Sequence, residues 1–380
     1  MKNQTGPRHV EVNGFANGPF EQLYDIFARM LAAQRGGGAA LSIYRDGVPI
    51  VDLVGGDYPE RPLQLQFSVS KAVTAIASQH ASRAGVFDLD APIATYWPEF
   101  DREGTRTITP RLVLSHRAGL PGVDKQLTID QVIAGEYAHA LEVQEPYWEP
   151  GTDHGYHLYS FGPLMDGIFT RAVGMSVGEY VAKHLVAPLG LDLWLGTPAD
   201  IIPQVSPYIR EVEILTPAQY AGSKKTDGFV DRGFSELMAD MTVFNRPDLL
   251  EKDWPVTNVV CGARDLAKLF AATMTEVDGV RVLDAQGLSN MNARQAIGPD
   301  WVLGIDMHYG SGTQLPFPQL PYLGSSSFGH EGAGGTMTFA DVESGISFSF
   351  ATNAYPVSHG ASIGALALLP SIRHLLEREG

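Results

Sequence analysis

Between residues 20 and 35 the apolar positions Phe20, Leu23, Ile26, Phe27, Met30 and Leu31 fall three and four apart, which predicts an amphipathic helix. Ala39–Tyr44 and Pro49–Val54 then read as strands around Asp46-Gly47, a pair that tolerates the positive φ of a tight hairpin turn. From Lys71 to about Ala84 the pattern is helical. Onward to about residue 255, helical segments alternate with Pro- and Gly-bearing loops and show little strand alternation. Asp265–Met274 predicts a further helix, strand signals return at Trp301–His308, Thr336–Asp341 and Ile346–Thr352, and a helical stretch, Ala361–Glu377, ends the pattern. Residues 205–255 carry the weakest signal. Sheet at both ends with helices between predicts one α/β domain in two halves, 1–70 and 256–380, separated by a mainly helical insert, 71–255. A site is expected where the two meet.

Composition narrows the function classes. Of 380 residues, 44% are hydrophobic and 18% charged, with 41 Gly and 25 Pro, a globular balance with many turns and no repeat or low-complexity segment. The 27 basic and 43 acidic residues give a net charge of −16, and no basic run interrupts it, which argues against nucleic acid or an anionic membrane as partner. The opening segment lacks the apolar stretch of a secretory leader, and no run approaches the roughly 18 apolar residues of a membrane span, so a soluble cytoplasmic protein is expected. The single cysteine, Cys261, suits a reducing compartment and reads as a small buried apolar group rather than a nucleophile. The sequence is compatible with a homo-oligomer.

The chemistry begins at Gln66-Phe67-Ser68-Val69-Ser70-Lys71, a Ser-x-x-Lys at a predicted helix start. Residues three apart share a helix face, so the Ser68 hydroxyl and the Lys71 amine can meet, and a buried amine whose neutral form is favoured can take the serine proton. Ser70, directly before Lys71, lacks that spacing. Ser-x-x-Lys alone is weak, and three further segments give it weight: Gly85–Phe100 with its Leu-Asp-Ala-Pro turn, Leu112–Leu120, and Glu149–Leu158 with Pro-Gly-Thr ahead of Tyr156. In this order they resemble the serine β-lactamase and penicillin-binding-protein superfamily, and most closely its family VIII carboxylesterases.

That resemblance implies a β-lactamase/DD-peptidase-like α/β (α+β) fold, an antiparallel sheet flanked by helices plus the helical insert. It implies Ser68 as acylated nucleophile, with Lys71 and Tyr156 as general base and acid. A neighbouring lysine cation would favour the Tyr156 phenolate. Ser327–Gly335 resembles the Lys-Thr-Gly strand in its esterase form, His-x-Gly. This implies substrate contact for His330 and Gly332, close backbone approach at Gly332, and an oxyanion hole from the Ser68 and Ala333 amides. Where the lactamases carry Asn two residues after the tyrosine, this chain has Leu158, a substrate-facing departure found in family VIII. A mostly neutral His330 in place of lysine holds a substrate carboxylate poorly, whereas an ester needs no such anchor.

The expected reaction is hydrolysis of a small-molecule carboxylic ester, with no metal and no organic cofactor. The alternatives are a β-lactamase or DD-peptidase-type amide hydrolase, an acyltransferase using the same residues, and a non-catalytic scaffold. Several patterns compete for attention. Gly174–Gly178 matches Gly-x-Ser-x-Gly, but Ser176 stands three residues before Glu179 after a helical stretch and reads as a capping box. His154 and His157 lack accompanying metal ligands, His116 reads as a buried hydrogen-bonding residue, and Tyr159 has the wrong spacing from Pro-Gly-Thr. Tyr96, Trp148, Tyr159 and Phe328 are candidate cleft linings.

Overall fold

A computed structural model describes residues 10–34, 36–210, 241–355 and 360–379. Its centre is an antiparallel sheet of six strands: β1 (Val12–Ala16), β2 (Gly38–Arg45), β3 (Val48–Gly56), β4 (Ser327–Glu331), β5 (Met337–Asp341) and β6 (Ile346–Thr352), in the order β1-β3-β2-β6-β5-β4. The Asp46-Gly47 turn joins β2 and β3 with both residues at positive φ, 51° and 82°. Pairing of β2 with β6, Leu41 opposite Phe350, closes the early and late segments into one sheet. β1 lies within the stretch read only for the absence of a leader, and its alternation is too short to announce it.

The sequence of β6 explains the layering. Phe348 and Phe350 alternate with Ser347, Ser349 and Ala351, so one face is bulky and the other small, and every residue of the strand is buried. The bulky face packs with Leu41, Ile43 and Phe339 against helices α1 (Gln22–Ala33) and α5 (Ile363–Glu379), where Phe27 meets Phe350 edge-on at 6.5 Å. The small face lets helix α4 (Ala263–Met274) approach closely enough for Ser347 to donate to the Ala267 carbonyl at 2.7 Å. The predicted strand over Trp301–His308 is corrected. Asp300–Leu303 forms a turn held by the Asp300 carboxylate, and the strands are Ala296–Pro299 and Asp306–Tyr309, paired as a hairpin.

Between the sheet and the mainly helical layer runs α2 (Val69–Arg83), buried almost throughout; its alanines, serines and Thr74 allow close packing on all sides. A small sheet of Gln64–Leu65, Val259–Cys261 and Leu193–Leu195 delivers the chain to the start of α2. Among the described residues no helix is long and apolar enough to cross a membrane. The weak-pattern stretch 205–255 falls partly outside the described residues.

Candidate active site

Two segments with no helical or strand ladder of their own converge on the N-terminus of α2. The first is the approach to Ser68. Gln66 N–H donates to the Val259 carbonyl at 2.8 Å, and Phe67 then takes φ 47°, a left-handed conformation that costs a non-glycine residue about 1–3 kcal/mol. Its ring is held between Tyr208 and Phe244, at 5.0 and 4.9 Å. This turn sets Ser68 at the head of the helix. Ser70, the competing serine, braces the structure: its hydroxyl accepts the Val259 N–H at 3.0 Å.

Lys71, one helical turn on, is fully buried, with Nζ 3.3 Å from Ser68 Oγ, 3.1 Å from the Leu158 carbonyl and 3.5 Å from that of Val256. No carboxylate pairs with it among the described residues, and burial holds its amine well below the usual lysine range. The neutral amine, a competent base, is thereby favoured. The Nζ also lies 4.7 Å from the Tyr156 ring centre.

The second segment, 153–158, carries Tyr156. Its conformation is fixed by donors and acceptors on neighbouring loops. Gly155 N–H donates to the His116 carbonyl, His157 N–H donates to His116 Nδ1 at 3.0 Å, and Tyr156 N–H donates to Asp300 Oδ1 at 3.1 Å. Burial pushes the Tyr156 phenol up; hydrogen bonding with Ser68 opposes this, and the Glu331 and Asp300 charges reinforce it. The expected phenolate is therefore disfavoured at rest: desolvation outweighs any help from the lysine, and the phenol keeps its proton.

His330 ends its path on β4 buried beside Tyr156, ring centres 6.0 Å apart. Its Nδ1–H donates to the Glu331 carbonyl at 2.6 Å, its Nε2 is buried without a partner, and burial above all pushes it down to about 3. The imidazole is uncharged across the physiological range.

The turn after β4 is tied to the approach to Ser68. Thr336 Oγ1 donates to the Gln66 carbonyl at 2.9 Å, and Gly332 N–H donates to the Thr336 carbonyl at 2.8 Å. A side chain at Gly332 would meet Thr336 Oγ1 at 2.2 Å and Gln66 O at 2.5 Å. That glycine thus admits the chain's own backbone at the approach to Ser68. The Ser68 and Ala333 amides have no protein acceptor among the described residues. Leu158 contributes its carbonyl, on Lys71, while its side chain packs among apolar neighbours.

The remaining candidates separate cleanly. His157 donates Nδ1–H to Gly155 O at 2.7 Å and accepts the Leu120 N–H on Nε2 at 3.3 Å, so neither nitrogen is free for a metal. Ser176 makes the capping box with Glu179 at the start of the short helix α3 (Val177–Val181). Phe328 stacks on Phe270 in the core, Tyr96 packs on Phe87, Tyr159 stacks on Trp254, and Trp148 lies against His157 and Trp301. Asp300 was not legible: an aspartate between proline and tryptophan reads as a turn residue, and nothing in one sequence says that its carboxylate folds inward.

Sheet, buried α2 and the serine–lysine–tyrosine cluster at its head define a class, and the chain belongs to the Beta-lactamase family, whose model matches residues 23–369. Over 370 residues it is 30% identical to the Esterase/beta-lactamase LipL of Mycobacterium tuberculosis (strain ATCC 25618 / H37Rv), covering 90% of this chain and 83% of the relative. Among solved structures it is similar to a family VIII carboxylesterase (25% identity, TM-score 0.84, 96% of this chain and 100% of that one). A penicillin-binding protein homologue from Caulobacter crescentus is also similar (25% identity, TM-score 0.85, 96% and 100%).

Proposed function

We propose that this chain is a serine carboxylesterase that works through an acyl-enzyme on Ser68. The observation that carries the reading is the 3.3 Å contact between the Ser68 hydroxyl and a fully buried Lys71 amine that burial keeps from charging. Lys71 takes the Ser68 proton as the oxygen attacks the ester carbonyl. The oxyanion lies between the Ser68 and Ala333 amides, each such donor lowering the barrier by about 3 kcal/mol. Tyr156, protonated at rest, gives its proton to the departing alkoxide and is reprotonated from Lys71. Water then repeats the sequence on the acyl-enzyme, and the carboxylic acid leaves.

His330 supports an ester over a β-lactam or D-alanyl peptide. Those substrates carry a carboxylate, and an uncharged imidazole offers it no ion pair. β-Lactam opening is nevertheless the second reading, since LipL carries both activities in its name. The single, buried cysteine goes with a cytoplasmic setting. A comparison of kcat/KM for p-nitrophenyl esters of increasing acyl length with that for nitrocefin tests the choice. The esterase reading predicts short-chain esters ahead of nitrocefin by at least about a hundredfold; nitrocefin turned over as fast as the best ester contradicts it.

A further inference from the structure

Tyr156 sits in a loop, so no helix or strand ladder holds its backbone, yet a proton relay needs its phenol placed to within a fraction of an ångström. One buried carboxylate, that of Asp300, bonds its main chain directly. Asp300 is fully buried; its Oδ1 accepts from the backbone N–H groups of Tyr156 (3.1 Å), Val302 (2.8 Å) and Leu303 (2.8 Å), and its Oδ2 accepts from the Tyr309 hydroxyl (2.9 Å). The Tyr309 ring in turn lies nearly parallel to that of Tyr156, 6.4 Å away at 10°, and the His116 ring touches both, at 4.8 Å from Tyr156 and 4.6 Å from Tyr309.

The geometry points to Asp300 and Tyr309 as positioning residues for the Tyr156 phenol: the carboxylate pins the Tyr156 main chain, and through its second oxygen it orients the ring stacked on Tyr156. The inference rests on the reading of Tyr156 as proton donor to the leaving group. It assigns to the hairpin Ala296–Pro299/Asp306–Tyr309, far away in sequence, the task of holding one member of the catalytic cluster. Misplacement by about 1 Å typically costs on the order of a hundredfold in rate.

The test compares an alkyl ester with the p-nitrophenyl ester of the same acid, because an alkoxide needs a proton as it leaves and p-nitrophenolate does not. Wild type, Tyr156→Phe, Asp300→Asn and Tyr309→Phe are measured, together with each of the last two combined with Tyr156→Phe. Asp300→Asn is expected to lower kcat/KM, which reads the acylation step alone, about 10- to 100-fold on the alkyl ester, with less loss on the p-nitrophenyl ester. Tyr309→Phe, the milder change should Asp300→Asn fold poorly, is expected to act in the same direction. Neither should add to the loss already present in Tyr156→Phe. Losses that add fully in the double variants, or that are equal on both esters, overturn the inference, as does wild-type behaviour of Tyr309→Phe and Asp300→Asn beside an inactive Tyr156→Phe. Full alkyl-ester activity in Tyr156→Phe would overturn the underlying mechanism as well.

Discussion

Two demands on Lys71 point the same way. The proposed role as base needs an uncharged amine near neutral pH, and burial makes charging costly, so the same desolvation serves both. Replacing it with methionine should lower ester turnover by about a thousandfold, the range of a lost general base. Stability should respond with a definite sign. The unfolded chain binds the Lys71 proton up to about pH 10.4, whereas the folded chain releases it well below that. Wild type therefore gains stability as pH rises through this interval, and the variant does not. Melting temperatures of the two proteins at pH 7 to 10 check this: the difference, Lys71→Met minus wild type, should shrink as pH rises, and a difference that grows would contradict the assigned protonation. At this scale the spacing of Ser68 and Lys71 was readable, because helical geometry alone makes them neighbours. The Leu158 carbonyl and the steric role of Gly332 were not, since both depend on which distant backbone arrives beside them.

Elements place these residues. The head of α2 is braced by the segment 253–259, through Val259 N–H on Ser70 and through Thr74 Oγ1, which lies 2.9 Å from the Pro255 carbonyl. The same segment begins with Asp253, whose Oδ2 accepts the Gly178 N–H at 2.9 Å at the start of the short helix Val177–Val181. Burial, and after it the charge of Asp166, push the Asp253 carboxyl up to about 7. The folded chain thus keeps a proton that the unfolded chain sheds near pH 3.9, and the stability this confers is lost as pH rises from about 4 to about 7. Asp253→Asn, which never charges, should gain in melting temperature relative to wild type across that window and hold the gain above it; a gap that narrows with rising pH would contradict the assignment. Capping by Ser176 and Glu179 was legible because it is written in four consecutive residues. Asp253 was not, because its partner Gly178 is 75 residues away.

At the scale of the whole molecule, the sheet joins the first fifty described residues to the last segment before α5, and this closure brings the Ala333 turn to the Ser68 helix. Alternation of Phe with Ser and Ala in β6 made a strand readable from sequence, whereas its pairing with β2 depends on complementarity between segments some three hundred residues apart. The hairpin carrying Asp300 was misread as one strand from Trp301, since apolar residues in a tight turn mimic strand alternation. Everything in the functional account requires that this assembly acylate one particular hydroxyl. The most direct measurement is peptide mapping by mass spectrometry after reaction with a fluorophosphonate and, separately, after acid quench during turnover of a p-nitrophenyl ester. The account predicts the phosphonyl or acyl mass on the peptide at Ser68, retained in Ser176→Ala and absent from Ser68→Ala together with turnover. An adduct on any other residue, or undiminished turnover by Ser68→Ala, would contradict it.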